Sequence, residues 1–332
     1  MLKLFFRVGR DIPFALAAWL LLMGGMPSSS SAGDLQLVET EKTISILDND
    51  QTILVYNKVS PDAPAGIDSI YERSGFLHPV CSPSGRVLTD AFAADHPHQQ
   101  GIFTAWVQTT YQGKPVDFWN LAGKTGRVLH HQVLDKNETD GNVRFEVELI
   151  HRRVTEPAVD VLKENWKLTA YPTDGSYRCF DLDLTQTALT QDPLIIEEYH
   201  YGGLGMRGQS RWLTSRKADT AGPTLEASGF LNNLGSNRTA GNHQRARWIS
   251  LWGNIDGKPV SIAVLCHKDN FRAPQKARIH PTKPYFCFAP CVDGEFTIDK
   301  DHPYQARYRY LVTDTMPDAK WLDQQWQAWV GE

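Results

Sequence analysis

Residues 246–266 read ARWISLWGNIDGKPVSIAVLC, and their pattern decides the fold class. Two apolar runs flank Asp256-Gly257, a dipeptide suited to the tight reversal of a β-hairpin. The spacing therefore predicts two strands joined by that turn. The signature recurs on either side. TISIL (43–47) and TILVY (52–56) are separated by DNDQ and read as another hairpin. VRFEVELI (143–150) alternates cleanly, with Val143, Phe145, Val147 and Leu149 on one face. YRCFDLDLTQT (177–187) does the same with Phe180, Leu182 and Leu184, and YQARYRYLV (304–312) is a further alternating run. Many short strands punctuated by Gly, Pro, Asn and Asp predict an all-β protein built as a large antiparallel sandwich.

One helix is expected at the carboxyl end. PDAKWLDQQWQAWV (317–330) sets Leu322, Trp326, Trp329 and Val330 at helical spacing behind Asp318 as cap. Its tryptophans are expected to seal one end of the sandwich. Residues 219–246 are rich in Gly, Asn, Ser and Thr with little periodicity, and read as a long loop able to cover a site.

The amino terminus reads differently. Lys3, Arg7 and Arg10 precede the 12-residue apolar run IPFALAAWLLLM, and SSSSAG follows with small residues before a cut after Ala32. These three parts make a secretory signal peptide over 1–32. The apolar run is too short to cross a hydrocarbon core of roughly 30 Å. Residues 33–332 then form a single sandwich domain, exported to the periplasm or the medium, with no membrane contact after cleavage. The leader carries three cations and one acid, so its loss moves the formal net charge from −4 to about −6. Such a surface offers nothing to nucleic acid. The five cysteines, Cys81, Cys179, Cys266, Cys287 and Cys291, are an odd number. At least one thiol is left free, and buried thiols acting as apolar filler are the expectation.

Three polar stretches carry the candidate chemistry. DHPHQQG (95–101) sets His96 and His98 either side of Pro97. The proline favours extended geometry for His96, which would turn both imidazoles to one side. Asp95 can orient one of them by accepting from its second ring nitrogen. The plainer alternative is a histidine pair bonded to main-chain carbonyls. In LIIEEYHYGGLGMRG (194–208), a strand continuing to His200 would put Glu198 and His200 on one face, with a glycine turn and Arg207 behind them. The alternative is an acidic strand end with an ordinary loop. HKDNFRAPQKARIHPTKPYFCFAPC (267–291) is too polar and proline-punctuated for a central strand until it enters the aromatic strand YFCFAP. Its Asn270, Arg272 and His280 suit hydroxyl or carboxylate oxygens; Arg278 reads more simply as a surface arginine paired with an acid. In KPVDFWN (114–120), Asp117 stands beside Trp119. Trp119 or Trp106 suits stacking on a sugar ring, although either is more often core. Phosphate-loop, nucleophile-elbow, zinc-protease and dinucleotide motifs are missing.

DHPHQQGIFTAW, VDFWN, EYHYGGLGMRG, RARWISLWG and NFRAPQKARIHPTKPYFCFAP together resemble the signature blocks of a bacterial family of unknown function labelled "methane oxygenase PmoA"-like, across roughly residues 75–330. Gln99 and Gln100 stand where that family carries a further histidine or arginine. At the level of fold the family is similar to galactose-mutarotase-type sandwiches. The resemblance implies an acid–base pair of histidine and glutamate acting on a sugar.

These readings lead to one expectation and two alternatives. The first is an exported enzyme acting on a sugar or sugar derivative, as an epimerase, lyase or hydrolase. Glu198 would be its base, His96 or His98 its acid, and His200 an orienting group. Arg207, Arg272, Asn270 and His280 would bind substrate oxygens, with Trp106, Asp117 and Trp119 beside them. The first alternative is a non-catalytic binder of the same small-molecule or oligosaccharide ligands. The second is a metalloprotein using His96, His98 and His200. No cofactor is expected for the enzyme, and the oligomeric state is left open.

Overall fold

The computed structural model describes residues 34–215 and 222–331. The signal peptide read over 1–32 lies outside the described residues. Three antiparallel sheets make up the architecture, two of eight strands and one of four. The first large sheet begins with local neighbours, Leu35–Glu39, Thr43–Asp48, Gln51–Asn57, Phe76–Val80 and Ile102–Ala105. It is completed by strands from far along the chain, Gly203–Arg207, Tyr285–Phe288 and Ala277–Ile279. The second contains the long strands Gly126–Thr139, Asn142–Arg153, Val159–Tyr171, Tyr177–Ala188 and Tyr304–Thr313, then Lys258–Cys266, Trp248–Ile255 and Ser228–Asn232. The hairpin expected in residues 246–266 is the pair Trp248–Ile255 and Lys258–Cys266. Asp256 and Gly257 both take positive φ, 54° and 74°, as the tight turn requires.

Alternation explains the core. Val143, Phe145, Val147 and Leu149 are all buried, as are Phe180, Leu182 and Leu184. They meet Ile44, Leu54 and Phe103 of the first sheet in one continuous apolar cluster. A buried carboxylate is among the polar groups that bridge the two layers. Glu164 accepts from the Thr104 hydroxyl at 2.7 Å, from Trp166 Nε1 at 2.7 Å, and pairs with His151 Nε2 at 2.6 Å. All four residues are buried. Burial raises the Glu164 carboxyl, but these hydrogen bonds and the His151 charge outweigh it and hold the group below the ordinary carboxylate value.

The helix spans Ala319–Val330, with the Asp318 side chain accepting from Lys320 and Trp321 N–H. It lies on the outer face of the second sheet and does not seal an end of the sandwich. Leu322, Trp326 and Val330 pack on Cys179, Trp248, Ala263, Leu265 and Leu311. This is why Lys258–Cys266 is almost continuously apolar: both its faces are covered. The expected loop 219–246 contains a strand, Ser228–Asn232, paired to Trp248–Ile255. All five cysteines are buried and unpaired. No helix among the described residues is long and apolar enough to cross a membrane.

Candidate functional site

The far strands of the first sheet build a pocket by bringing distant loops to one place. Gly203–Arg207 pairs with Ile102–Ala105 on one side and Tyr285–Phe288 on the other, with Arg207 opposite Tyr285. The histidine loop precedes Ile102, and His280 follows Ala277–Ile279. A cavity of about 180 Å³ results, lined by His96, His98, Gln99, Asn120, His200, Tyr201, Arg278, His280 and Tyr285.

The two loop histidines converge by a turn and not by strand alternation. The Gln99 N–H donates to the His96 carbonyl at 3.0 Å, which places Pro97 and His98 at the corners of a turn. The imidazole centres of His96 and His98 end 5.5 Å apart, and that of His280 lies 5.8 Å from His96. The loop re-enters the sheet through Gly101, whose φ of +57° admits no side chain, because a Cβ would collide with the Leu77 carbonyl.

Behind His96 stands a charged frame. His96 Nδ1 donates to Asp95 Oδ2 at 3.1 Å. The fully buried Arg207 grips both Asp95 oxygens, Nη2 to Oδ1 at 2.6 Å and Nη1 to Oδ2 at 3.1 Å, and Lys283 Nζ lies 3.3 Å from Oδ2. Burial raises the Asp95 carboxyl, but the His96 and Arg207 hydrogen bonds and the Arg207 and Lys283 charges overwhelm it. They hold the group far below the ordinary carboxylate range. Asp95 is therefore a fixed anion. His98 is pushed down to about 4 by burial, then by His96, Arg207 and Arg73. His280 is pushed down to about 4 by burial, then by Arg278, His96, Lys283 and Arg238.

Other expected residues take different places. The strand before Glu198 ends at Ile196, so the assumed strand alternation to His200 does not occur. Glu198 is exposed and lines a separate depression with Tyr199, His200, His243 and Val292. Only His200 reaches both hollows. Arg207 lies behind the cavity as Asp95's partner. Arg272 clips main chain together, donating to the carbonyls of Pro290, Gly294 and Glu295. Asn270 is held by Arg307 main chain, donating to its carbonyl and accepting from its N–H. Trp106 is buried and donates to Gln186 Oε1 at 2.7 Å.

Trp119 is buried too. It packs on Tyr201 and Tyr285 beneath the cavity, with ring centres 5.5 and 5.8 Å away, and offers no free stacking face. Asp117 accepts from the N–H groups of Trp119 and Asn120 and from Asn120 Nδ2, all at 2.8 Å, so it positions Asn120 in the wall. Arg278, Asn120, Tyr201 and Tyr285 were not expected. No local motif marks them, and only the sheet order brings them in. Among the described residues, no group of three or more His, Cys, Asp or Glu side chains is placed to hold a metal ion.

A family model described as a family of unknown function, DUF6807, matches residues 43–327. That description does not carry the methane-oxygenase label suggested by the sequence blocks. No curated protein matches the chain. Among solved structures, the chain is similar to a mutant of heparan sulfate lyase HepC from Pedobacter heparinus. The TM-score is 0.35 and the identity 8% over 87% of this chain and 36% of that one. The chain thus spans little more than a third of that protein's length.

Proposed function

The chain belongs to this DUF6807 family of unknown function, and from its pocket we propose an enzyme that moves a proton on a small, oxygen-rich molecule of the sugar class. One observation carries the proposal: an imidazole lines the cavity with a fixed carboxylate bonded to its Nδ1. Because Asp95 accepts from Nδ1–H, the neutral His96 ring keeps its lone pair on Nε2. A proton taken there creates an imidazolium beside an anion that cannot itself be neutralised by protonation. Carboxylate-oriented histidine bases work by this logic. His98, 5.5 Å away, is held neutral and can offer its ring N–H as a hydrogen-bond donor from a second direction, while the protonated His96 returns the proton it has taken. In this reading Asp95 keeps the orienting role expected of it, and His96, expected as an acid, takes the part of base that was expected of Glu198. The small size of the cavity, about 180 Å³, and its polar lining support a ligand unit of monosaccharide scale. The leader over 1–32 belongs to the same proposal and would place this chemistry outside the cytosol.

The test is proton exchange. The full chain is incubated in D₂O with neutral and acidic mono- and oligosaccharides, and loss of C–H signals is followed by NMR. A substrate should exchange. His96→Asn should slow that exchange ~10²–10⁴-fold, whereas Glu198→Gln leaves it unchanged. Asp95→Asn should slow it and move the pH profile of the rate. Saturable binding with no exchange favours the non-catalytic reading, and an unimpaired His96→Asn removes His96 as base.

A further inference from the structure

We propose that the ligand of this pocket carries a carboxylate, received by Arg278 and by the Nε2–H of His280. The inference rests on the pocket being the functional site, but not on His96 acting as a base.

His280 is the more constrained of the two groups. Its Nδ1 accepts from the main-chain N–H of Thr282 at 3.2 Å and of Lys283 at 3.1 Å. A neutral ring whose Nδ1 lone pair is so engaged carries its proton on Nε2. His280 therefore meets the ligand only as a hydrogen-bond donor, and is neither a base nor a metal ligand in this tautomer. It faces His96 across the cavity.

Arg278 supplies the charge. Its Nη1 donates to two neutral acceptors, Asn242 Oδ1 at 3.0 Å and the Ile279 carbonyl at 3.4 Å. None of the nine residues lining the cavity is acidic. Of the carboxylates bonded to the wall, Asp95 is already matched by Arg207 and Lys283, and Asp117 is engaged by the N–H groups of Trp119 and Asn120 and by Asn120 Nδ2. The wall thus presents one guanidinium and one fixed N–H without an anion between them. A single charge spread over two oxygens suits that pair, since charge-assisted bonds to a planar carboxylate use the guanidinium geometry.

The imidazoles register the same imbalance. After burial, the groups that depress His280 are cations or other imidazoles, with Arg278 first; Arg278 also follows burial as a depressor of His200. A bound anion reverses that field, so binding should draw protons onto the histidines.

The probe is sodium acetate, with acetamide as its neutral isostere, titrated into the full chain while the histidine ring resonances are followed by NMR. Acetate should shift the His280 resonances saturably and raise its pKa, and acetamide should do neither. Arg278→Gln should weaken the acetate response by about tenfold or more, as expected for loss of a charge-assisted pair, and Arg278→Lys should keep part of it. Equal responses to acetate and acetamide, no response to either, or an acetate response untouched in Arg278→Gln each overturn the proposal. Tighter binding of sulfate or phosphate would also overturn it by assigning the site to another oxyanion. If acetate binds as described while no sugar exchanges in D₂O, the anion site stands and the proton-transfer reading fails.

Discussion

A single glycine shows how little room the site leaves for variation. Gly205 sits in the middle of the strand Gly203–Arg207, opposite Phe103 and Cys287. A Cβ there would come 2.7 Å from Trp119 Cη2 and 3.1 Å from Phe103 Cζ. Trp119 fits there because Gly205 has no side chain, and Tyr201 and Tyr285 meet Trp119 edge to face. Gly205→Ala should therefore destabilise the protein by about 1–3 kcal/mol, the usual penalty for overpacking, and alter tryptophan fluorescence. Denaturant unfolding measures the first, and an unchanged midpoint with an unchanged spectrum would contradict the packing argument. The sequence showed Gly202, Gly203 and Gly205 only as a turn ahead of Arg207. At Gly205 the close approach is by the protein's own indole. His96, His98 and His280 were legible as candidates because imidazoles near prolines stand out. Arg278 was not, since an arginine in a polar stretch resembles any surface arginine until its neighbours are known.

At the level of strands, period-two alternation was enough to identify most long elements of the second sheet. It failed where the physics is not periodic. Leu194–Ile196 is only three residues long, and the chain then leaves the sheet, with the Glu197 side chain accepting from Gln108 and Thr110. That early exit leaves Glu198 outside the cavity lined by His96, His98 and His280. The Pro-rich stretch 267–291 contributes Ala277–Ile279 at the sheet edge and, between Pro284 and Pro290, the inner strand Tyr285–Phe288. Between layers, Glu164 joins the first sheet to the second through Thr104. Glu164→Ala would strand the Thr104 hydroxyl, the Trp166 N–H and the His151 ring in the core. Removing one member of a buried hydrogen-bonded ion pair typically costs ~3–5 kcal/mol. Chemical denaturation should show a loss of that size, and a change under ~1 kcal/mol would mean that the bridge contributes little net stability.

For the molecule as a whole, the histidines set the response to acid. His98, His130 and His280 are each lowered from 6.5 to about 4, with burial the largest cause in every case. The folded form resists protonating these rings while the unfolded chain accepts protons near 6.5. Between those values the unfolded state binds more protons, so stability rises with pH. Melting temperature should therefore be highest above pH 6.5 and fall as the pH drops toward 4, before most carboxylates titrate. A flat profile over that window would show that the rings are not kept neutral. Sequence composition could supply the number of histidines but not this behaviour, which depends on which of them the sheets enclose.

The order of strands in the first sheet also bears on how the protein is made. Its local half is complete once residue 105 has emerged, but the pocket needs Tyr201 and Arg207, then Arg278, His280 and Tyr285. During synthesis the amino-terminal portion can pair its hairpins early while holding no part of the finished cavity except the histidine loop. A ribosome halted before residue 277 would therefore release a chain with most of its strands and none of its anion-receiving wall.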